Sequence, residues 1–505
     1  MKFSLKYLSA HILLCISLPL FSQESIWFQN LEKALAEEEL ELAEQLYSHQ
    51  ISHYQKLKNY DSLSYYPPLL GHLVRRTTSS EEALLRTKHF VEKLEQQTSD
   101  PKILRQAWLE ASSFFEVMGK TQEAFEQNKT ALEYTKKWKE ATGEDYGLIL
   151  SNMGVYARLL GDMQASSSYF KQSLTQYLSY PKTKKESLQI IYNSYGATMW
   201  FSLKLDSARY YYGKALEILE EMEETPRNLY YRPAILNNNI AAIYSMEGQA
   251  TKSLQAMQEC IRALEKYIPT VENGIQLQKA QEFKFQAIDN LASIYKDIGD
   301  YRKSYELIAY AARQKAEHLP DDSPEQFKSL VLLGQSELYL REFEQAALHL
   351  DSAIARIARK EGNFGQWNAD AHHHRAEVFK ELGEIGQAER YYEKTEQLVE
   401  EVFQGEYDEI SLGYLIQAST FYAEVGKREK ALKIAKHGYE YALKTLTKDN
   451  LLSFQMVWNL ADIYYLLGDY EKVLEVSKEG MAIIKGHKLE RKTLLDSIQV
   501  EYRLP

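Results

Sequence analysis

The sequence has few of the residues that end helices or cross-link chains. Among its 505 residues there are 11 Pro, 23 Gly and two Cys. No stretch alternates β-branched and polar residues as strands do, while long stretches rich in Ala, Leu, Glu, Lys and Gln favour helices. Because the chain is too long for one ordinary hydrophobic core, the composition predicts an all-α protein of several domains or of stacked repeats.

Motifs for catalysis and cofactor binding are also missing. Neither common glycine-rich phosphate loop is present, and there is no paired-Cys motif for a thiolate zinc site. The many Glu and Asp pairs are typical of solvated helix faces. We therefore expect no enzyme activity, no cofactor, no metal site and no small-molecule ligand.

Only two features could hold metal or redox chemistry. His372, His373 and His374 are consecutive, and successive helical residues point about 100° apart, so the three cannot share one metal on one helix face. Asp370 could chelate weakly with His373 or His374, although an ordinary helix surface is the interpretation we favour. Cys260 stands at a packing position for small residues, so we expect it in the core.

The formal net charge is −11, so the protein is acidic. Removal of Lys2 and Lys6 with an N-terminal signal leaves 58 basic and 71 acidic residues, which gives −13. Such a surface argues against nucleic acid as the partner and against an anionic membrane surface. Its simplest consequence is solubility.

The first residues have the layout of a secretory signal peptide. Lys2 and Lys6 precede a mostly apolar run over residues 7–20, and polar sequence begins at Ser22. The run is short for a membrane span, and no later segment is long and apolar enough to span. We therefore expect residues 1–22 to be removed and the protein to be exported, to the periplasm or beyond, with no remaining span.

Details of this signal leave some points open. Leu20 departs from the small-residue rule for cleavage sites, so the cut position is not defined, and an uncleaved N-terminal anchor is the alternative. Leu14 before Cys15 excludes a lipoprotein signal. Since Cys15 leaves with the signal, Cys260 has no partner for an intramolecular disulfide.

A sequence motif of about 42 residues repeats along the chain, and this repeat is the basis of the predicted fold. Residues Asn459–Tyr464, Asn290–Tyr295 and Asn239–Tyr244 begin the clearest copies. In each copy a small residue in a first helical segment is followed, twelve residues later, by a mostly small position in a second segment. The first-segment residues are Gly71, Ser112, Gly154, Gly196, Ala241, Ala292, Gly334, Ala376, Ser419 and Ala461. The second-segment positions are Ala83, Ala124, Ser166, Ala208, Ser253, Ser304, Ala346, Ala388, Ala431 and Val473, with Ala43 in a worn first copy.

This spacing predicts pairs of antiparallel helices that touch at small residues. Close approach of two helices requires small side chains on both, and Gly between them supplies the left-handed backbone that ends a helix. The predicted turn glycines are Gly119, Gly161, Gly248, Gly299, Gly383, Gly426 and Gly468. One pair cannot bury its own apolar face, so neighbouring pairs must stack.

The pattern of small and aromatic residues resembles the tetratricopeptide repeat over about residues 55–482. The long repeat is similar to that of kinesin light chains and of bacterial arrays that precede a CHAT (caspase-like) domain. The resemblance implies an α–α superhelix, a solenoid of about ten to eleven helical hairpins. We assign residues 1–22 to the signal peptide, 23–54 to a degenerate first repeat or N-terminal cap, 55–487 to the repeat array and 488–505 to a C-terminal tail.

The resemblance also implies a peptide-binding groove lined by the first helix of each repeat. The candidate groove residues are Asn152, Asn193, Asn239, Asn290, His374, Trp458 and Asn459. An Asn amide can both donate to and accept from a peptide backbone, and Trp is a common apolar anchor. The other interpretation, that these Asn residues cap or bridge neighbouring helices, stays open. Lys328 suits a carboxylate clamp, but Leu332 stands where its Arg would be, so capture of a chaperone C-terminus is not expected.

One interval of 51 residues, from Ser253 to Ser304, breaks the period. It places about nine extra residues near 268–284, as a longer helix or a loop, after a connection at Pro226–Pro233. A hinge and a tolerated surface insertion are both compatible with this irregularity.

These features predict an exported scaffold that binds peptide or protein partners. The alternative is the N-terminal sensing arm of a larger CHAT protease or signalling protein. This alternative is based on the C-terminal tail. Solenoids usually have a polar cap there, but the tail carries the apolar residues Leu494, Leu495, Ile498, Val500 and Tyr502. A cytosolic regulator of the quorum-sensing type is not expected, because the sequence begins with a signal peptide pattern and lacks DNA-binding helices.

Overall fold

The computed structural model describes residues 30–486, apart from 32–33, 35–38, 203, 273, 320, 322, 360–363, 404–408 and 446–450. All regular structure in these ranges is helical, with 22 α-helices. The all-α prediction is therefore confirmed. The predicted signal peptide and C-terminal tail lie outside the described residues, so both stay predictions.

The chain divides into two compact units between Glu224 and Thr225. The N-terminal unit contains α1 (Leu40–Lys56), α2 (Tyr60–Leu63), α3 (Pro67–Thr77), α4 (Ser80–Gln97), α5 (Pro101–Val117), α6 (Thr121–Lys137), α7 (Gly143–Leu159), α8 (Met163–Ser179), α9 (Lys185–Phe201) and α10 (Leu205–Glu220). From α3 onward these helices pair as four antiparallel hairpins.

The C-terminal unit contains six further hairpins within the described ranges. Its helices are α11 (Arg232–Met246), α12 (Ala250–Tyr267), α13 (Ile275–Asp297), α14 (Tyr301–His318), α15 (Pro324–Tyr339), α16 (Phe343–Ile357), α17 (Gly365–Glu381), α18 (Ile385–Phe403), α19 (Glu409–Glu424), α20 (Arg428–Thr445), α21 (Leu451–Leu466) and α22 (Tyr470–Gly486). In both units the odd-numbered helices from α3 are the first helices of hairpins and the even-numbered helices from α4 are the second.

The small residues lie where the two helices of each hairpin touch, as predicted. Ser166 Oγ on α8 donates a hydrogen bond of 2.8 Å to the carbonyl oxygen of Gly154 on α7. A Cβ at Gly196 would stand 2.8 Å from the ring of Tyr212. Since such a contact is closer than atoms pack, the aromatic ring of the second helix requires a residue without a side chain on the first.

The seven predicted turn glycines all have a left-handed backbone, with φ between 69° and 88°. At the equivalent turn between α15 and α16 the left-handed residue is Arg341, with φ of 61°. The repeat thus keeps the turn geometry even where the sequence lacks Gly, at a cost of about 1 kcal/mol for a residue with a Cβ.

The long interval contains both an extra turn and a longer helix. A 3-10 turn at Ile268–Thr270 precedes α13, which has 23 residues, whereas the next first helix, α15, has 16. The connection that contains Pro226 forms a π-helical turn at Arg227–Tyr231, directly after the division between the units. The predicted hinge stays a prediction.

No helix within the described ranges combines the length and apolarity that a bilayer span requires.

Candidate functional site

The predicted groove residues cluster at one register of the first helices. We call the residue two before the small one the bridge position. The bridge positions are Leu69, Glu110, Asn152, Ser194, Asn239, Asn290, Leu332, His374, Gln417 and Asn459. Asn193 and Trp458 stand one residue earlier in their repeats.

In the described part of the C-terminal unit several bridge residues bond to the preceding first helix, among them Gln417, which is hydrogen-bonded to His373. Asn290 on α13 donates from Nδ2 to Oδ1 of Asn238 on α11, at 2.9 Å. Asn459 on α21 donates from Nδ2 to Ser419 Oγ on α19, at 3.1 Å. Polar groups of these side chains therefore link consecutive repeats, whether or not they also contact a ligand.

His374 forms a further link, from α17 to α15. Its Nε2 lies 2.9 Å from Nε2 of Gln335. Because an amide nitrogen can only donate, the ring nitrogen accepts. Burial lowers the pKa of His374 well below its usual value, and this agrees with a neutral ring that accepts a hydrogen bond at Nε2.

The two other candidates of this unit, Asn239 and Trp458, are also accessible to solvent in part. Asn239 is half-buried, and its Oδ1 accepts a bond of 3.4 Å from the neighbouring Asn238. Trp458 on α21 is 39% exposed, and its ring centroid lies 6.0 Å from that of Phe454. An exposed indole beside an aromatic neighbour is suited to anchor an apolar group.

In the N-terminal unit the bridge residues make no equivalent links. Asn152 on α7 is 7% exposed, and its side chain makes no hydrogen bond to any described residue. The hydroxyl of Ser194 on α9 is buried without a partner in the same part of the chain. Asn193 is also buried. Since buried polar groups are usually paired, the amide of Asn152 retains capacity for hydrogen bonds.

Glu110, the bridge residue of α5, is bonded only within its own helix. Its Oε1 accepts from Gln106 Nε2 at 2.8 Å. Gln106 in turn accepts from Arg105, whose Nη2 lies 3.5 Å from Oδ1 of Asp145 on α7. Burial raises the pKa of Glu110 to about 8, although the hydrogen bond from Gln106 and the charge of Arg105 both act to lower it.

Two further ionisable side chains of the N-terminal unit are shielded from water. Arg158 on α7 is fully buried, and its Nη1 donates to the carbonyl oxygen of Ser194 at 2.8 Å. Burial lowers the pKa of Arg158 to about 10 and raises the pKa of Glu116 on α5 to about 8. Each charge is therefore held without a carboxylate–guanidinium pair.

The C-terminal unit instead buries charges as a network. Nζ of Lys315 on α14 lies 2.6 Å from Asp289 of α13 and 3.1 Å from Glu325 of α15, and Glu325 lies 2.7 Å from Lys328 Nζ. Burial would raise the pKa of Glu325, but Lys315 and Lys328 together lower it. The network thus joins three consecutive helices through opposite charges.

A family comparison identifies the repeat. Residues 145–221 match the family described as "Tetratricopeptide repeat". This segment carries tetratricopeptide repeats. The matched segment begins at the first turn of α7 and ends at the end of α10, so it covers two complete hairpins of the N-terminal unit.

Several solved structures are similar to this chain over nearly all of their own length. A Rap protein complexed with competence and sporulation factor is 14% identical with a TM-score of 0.49, over 78% of this chain and 99% of its own. The apo quorum sensor NprR from B. thuringiensis is 13% identical with a TM-score of 0.48, over 85% and 99%. A tetratricopeptide repeat protein from Parabacteroides merdae is 16% identical with a TM-score of 0.38, over 61% and 96%. No curated protein matches the sequence.

The His cluster of the repeat array is divided among separate contacts. His372 Nδ1 lies 2.8 Å from the carbonyl oxygen of Asn368, and burial lowers the pKa of His373 to about 4. Within the described ranges no group of three potential ligands could hold a metal ion. Cys260 is buried, as predicted, and burial raises the pKa of its thiol to about 12.

Sequence reasoning missed the partners of the candidates and the acidic member of the register. Asn238, Gln335 and Ser419 were not recognised as contacts of bridge residues, because a hydrogen bond between repeats depends on the stacking offset. Glu110 could have been found, since it stands two residues before Ser112 in the same register as Asn152.

Proposed function

We propose that this protein is an exported, non-catalytic scaffold that binds peptide or protein partners along its first helices. The observation that carries the proposal is the row of polar side chains at the bridge positions, one in most repeats. In the C-terminal unit Trp458 adds an exposed aromatic anchor. Polar side chains spaced along consecutive helices, with an apolar anchor, suit an extended peptide whose backbone needs donors and acceptors.

Binding of peptides by the full chain tests this proposal. An array of short peptides with random sequence is incubated with the intact protein, and bound sequences are measured again in solution by fluorescence anisotropy. We expect a subset of peptides to bind, and Trp458→Ala and Asn239→Ala to weaken binding by about tenfold or more. Tyr310→Ala is the matched control, because Tyr310 is an exposed aromatic residue on the second helix α14.

Two results would contradict the groove assignment. One is equal binding by the Trp458→Ala and wild-type proteins when both have the same far-ultraviolet circular dichroism. The other is loss of binding on Tyr310→Ala. The replacement Asn290→Ala is less informative by itself, because it also breaks the link to Asn238.

Export is part of the proposal, and it is supported by the basic start and apolar run of residues 1–22. The intact mass of the protein isolated from its own cells tests it. A mature chain that begins near Gln23 and is released with periplasmic or external fractions is expected. A chain that retains Lys2 in the cytoplasmic fraction would contradict export.

A sensing arm of a CHAT-type protein is the second candidate. It is favoured by apolar side chains at the end of the repeat array. Tyr465, Tyr470, Leu474 and Met481 of α21 and α22 are each more than half exposed, and the following residues 494–502 are rich in apolar residues. A native product heavier than 58.6 kDa, with peptides that continue past Pro505, would support this candidate.

A further inference from the structure

Bridge positions of the N-terminal unit retain unused hydrogen-bonding capacity. Asn152 is 7% exposed as a residue, and its amide makes no hydrogen bond to the described residues. In the C-terminal unit, Asn290 and Asn459 occupy the same register and are bonded to neighbouring repeats. The amide of Asn152 can therefore still donate to and accept from an added partner.

Glu110 occupies the same register on the preceding first helix, α5. It is 4% exposed, and only its Oε1 accepts a hydrogen bond, from Gln106. Its second oxygen, Oε2, has no partner among the described residues and is not sealed from solvent. Because burial disfavours the ionised form of this carboxyl group, a cation beside Oε2 would stabilise it.

The nearest cation is occupied elsewhere. Arg105 directs Nη1 to Gln106 and Nη2 to Asp145, so Gln106 separates it from Glu110. The charged and titratable groups that interact with Glu110 are Arg105 on its own helix and Tyr65 before α3, while Asp145 on α7 pairs with Arg105. With these neighbours, Oε2 of Glu110 can still accept a hydrogen bond from one additional positively charged group.

Two contacts position Glu110 and Asn152 on adjacent helices. On the N-terminal side of this register, α5 and α7 are joined by Arg105 and Asp145 at 3.5 Å. On its C-terminal side they are joined by Ser112 and Tyr156, whose hydroxyl oxygens are 3.0 Å apart. The two bridge residues thus lie between fixed contacts, and little reorganisation is needed to bind a ligand.

We propose that Glu110 and Asn152 form a subsite for a basic residue of a bound peptide, in which Glu110 Oε2 accepts from an Arg or Lys side chain and the Asn152 amide pairs with the peptide backbone. The subsite rests on the proposed function and specifies its ligand class. A guanidinium is the better match, since it can donate to the carboxylate while its planar group stays partly shielded.

Binding of a cation should release a proton from this site. Burial holds the pKa of Glu110 near 8 in the free protein, so most of these carboxyl groups are protonated at pH 7. A bound guanidinium favours the ionised form and lowers that pKa. The affinity for a basic peptide should therefore rise as the pH increases from 6 to 8.

The test uses the full chain and acetylated, amidated peptides that share randomised flanks and differ at one central residue, Arg, Gln or Glu. We expect the Arg peptides to bind about tenfold more tightly than the Gln peptides, and Glu110→Gln to remove this preference. Glu126→Gln is the matched control, because Glu126 is an exposed carboxylate on the second helix, α6, of the same hairpin. Calorimetry in two buffers with different ionisation enthalpies should show proton release for the wild type and none for Glu110→Gln.

The outcomes separate this subsite from the general proposal. If peptides bind with no preference for Arg, or if Glu110→Gln keeps the preference, the subsite is wrong while peptide binding stands. If no peptide binds at all, the proposed function fails and the subsite fails with it. Because Gln can keep the bond to Gln106, Glu110→Gln should fold normally, and unchanged thermal unfolding confirms that the comparison is valid.

Discussion

The two units use one register of their first helices for different purposes. In the C-terminal unit, Asn290, His374 and Asn459 each bond to the first helix before them. In the N-terminal unit, Asn152 makes no hydrogen bond to the described residues, and Glu110 is bonded only to its own helix. A polar residue at a repeated position can thus join repeats or remain available, depending on the side chain that the preceding repeat offers.

Buried charge differs between the units in the same way. The C-terminal unit pairs Lys315 with two carboxylates, Asp289 and Glu325. The N-terminal unit holds Arg158 through a backbone carbonyl and keeps Glu110 and Glu116 with raised pKa values. Opposite charges therefore stabilise the Lys315 network, whereas Glu110 and Glu116 favour the protonated form, as Glu377 of the C-terminal unit also does.

The largest expected effect is the loss of the buried network in the C-terminal unit. Lys315→Met leaves Asp289 and Glu325 facing each other without Lys315, and breaking such a pair costs about 3–5 kcal/mol. Hydrogen exchange of peptides from α13 to α15 should show this loss. Lys303→Met on the same helix removes only an exposed pair with Glu306 and should cost about 0.5 kcal/mol or less. Equal protection of α13 in both variants would contradict the role of Lys315.

Packing within the N-terminal unit gives the next effect. Gly196→Ala places a Cβ 2.8 Å from the Tyr212 ring, so this variant should lose about 1–3 kcal/mol through overpacking. Gly213→Ala on α10 meets no atom within 4 Å and should gain about 0.5–1 kcal/mol, because Ala favours a helix. Urea denaturation of both variants checks the opposite signs. A stabilising Gly196→Ala would show that the hairpin can widen without cost.

The bridge position itself can be compared directly between units. Asn459→Ala removes a buried bond to Ser419 and should cost about 1–2 kcal/mol. Asn152→Ala removes an amide with no partner in the described structure, so its cost should stay within about 0.5 kcal/mol. Urea denaturation followed by hydrogen exchange of peptides from each unit separates the losses of stability caused by the two variants. Equal losses would mean that Asn152 has a structural bond in solution.

The smallest expected effect is a difference in pH dependence. For Glu110 the folded pKa of about 8 lies above the unfolded value, so its contribution is present at low pH and is lost as the pH rises towards 8. For Glu325 the folded pKa is lowered, so its contribution is present at neutral pH and is lost as the pH falls. Local exchange near α5 and α15 should therefore change in opposite directions, by about 1 kcal/mol per pH unit at most. Glu110→Gln should flatten the first trend and leave the second unchanged.

Much of the fold could be predicted because each hairpin is specified by residues that lie close together in the sequence. Small residues twelve positions apart and turn glycines such as Gly299 determine how one hairpin closes, and neighbouring residues in the chain make most of those contacts. Arg341 shows the limit, since its left-handed backbone is imposed by the hairpin and not by its own preference. The long interval had two interpretations because an extra turn and a longer helix both add residues without changing the helical pattern.

The sequence by itself determined the helices, the hairpins, the packing of Cys260 and the register of the candidate groove, since each depends on spacing within one repeat. Only the tertiary structure decided which bridge residues are engaged and which buried charges are paired. Asn290 and Asn152 have the same place in their repeats, yet only Asn290 lies within reach of an amide on the preceding helix. Hydrogen bonds and ion pairs act over a few ångströms, so the offset between stacked repeats, which local spacing does not contain, determines their partners.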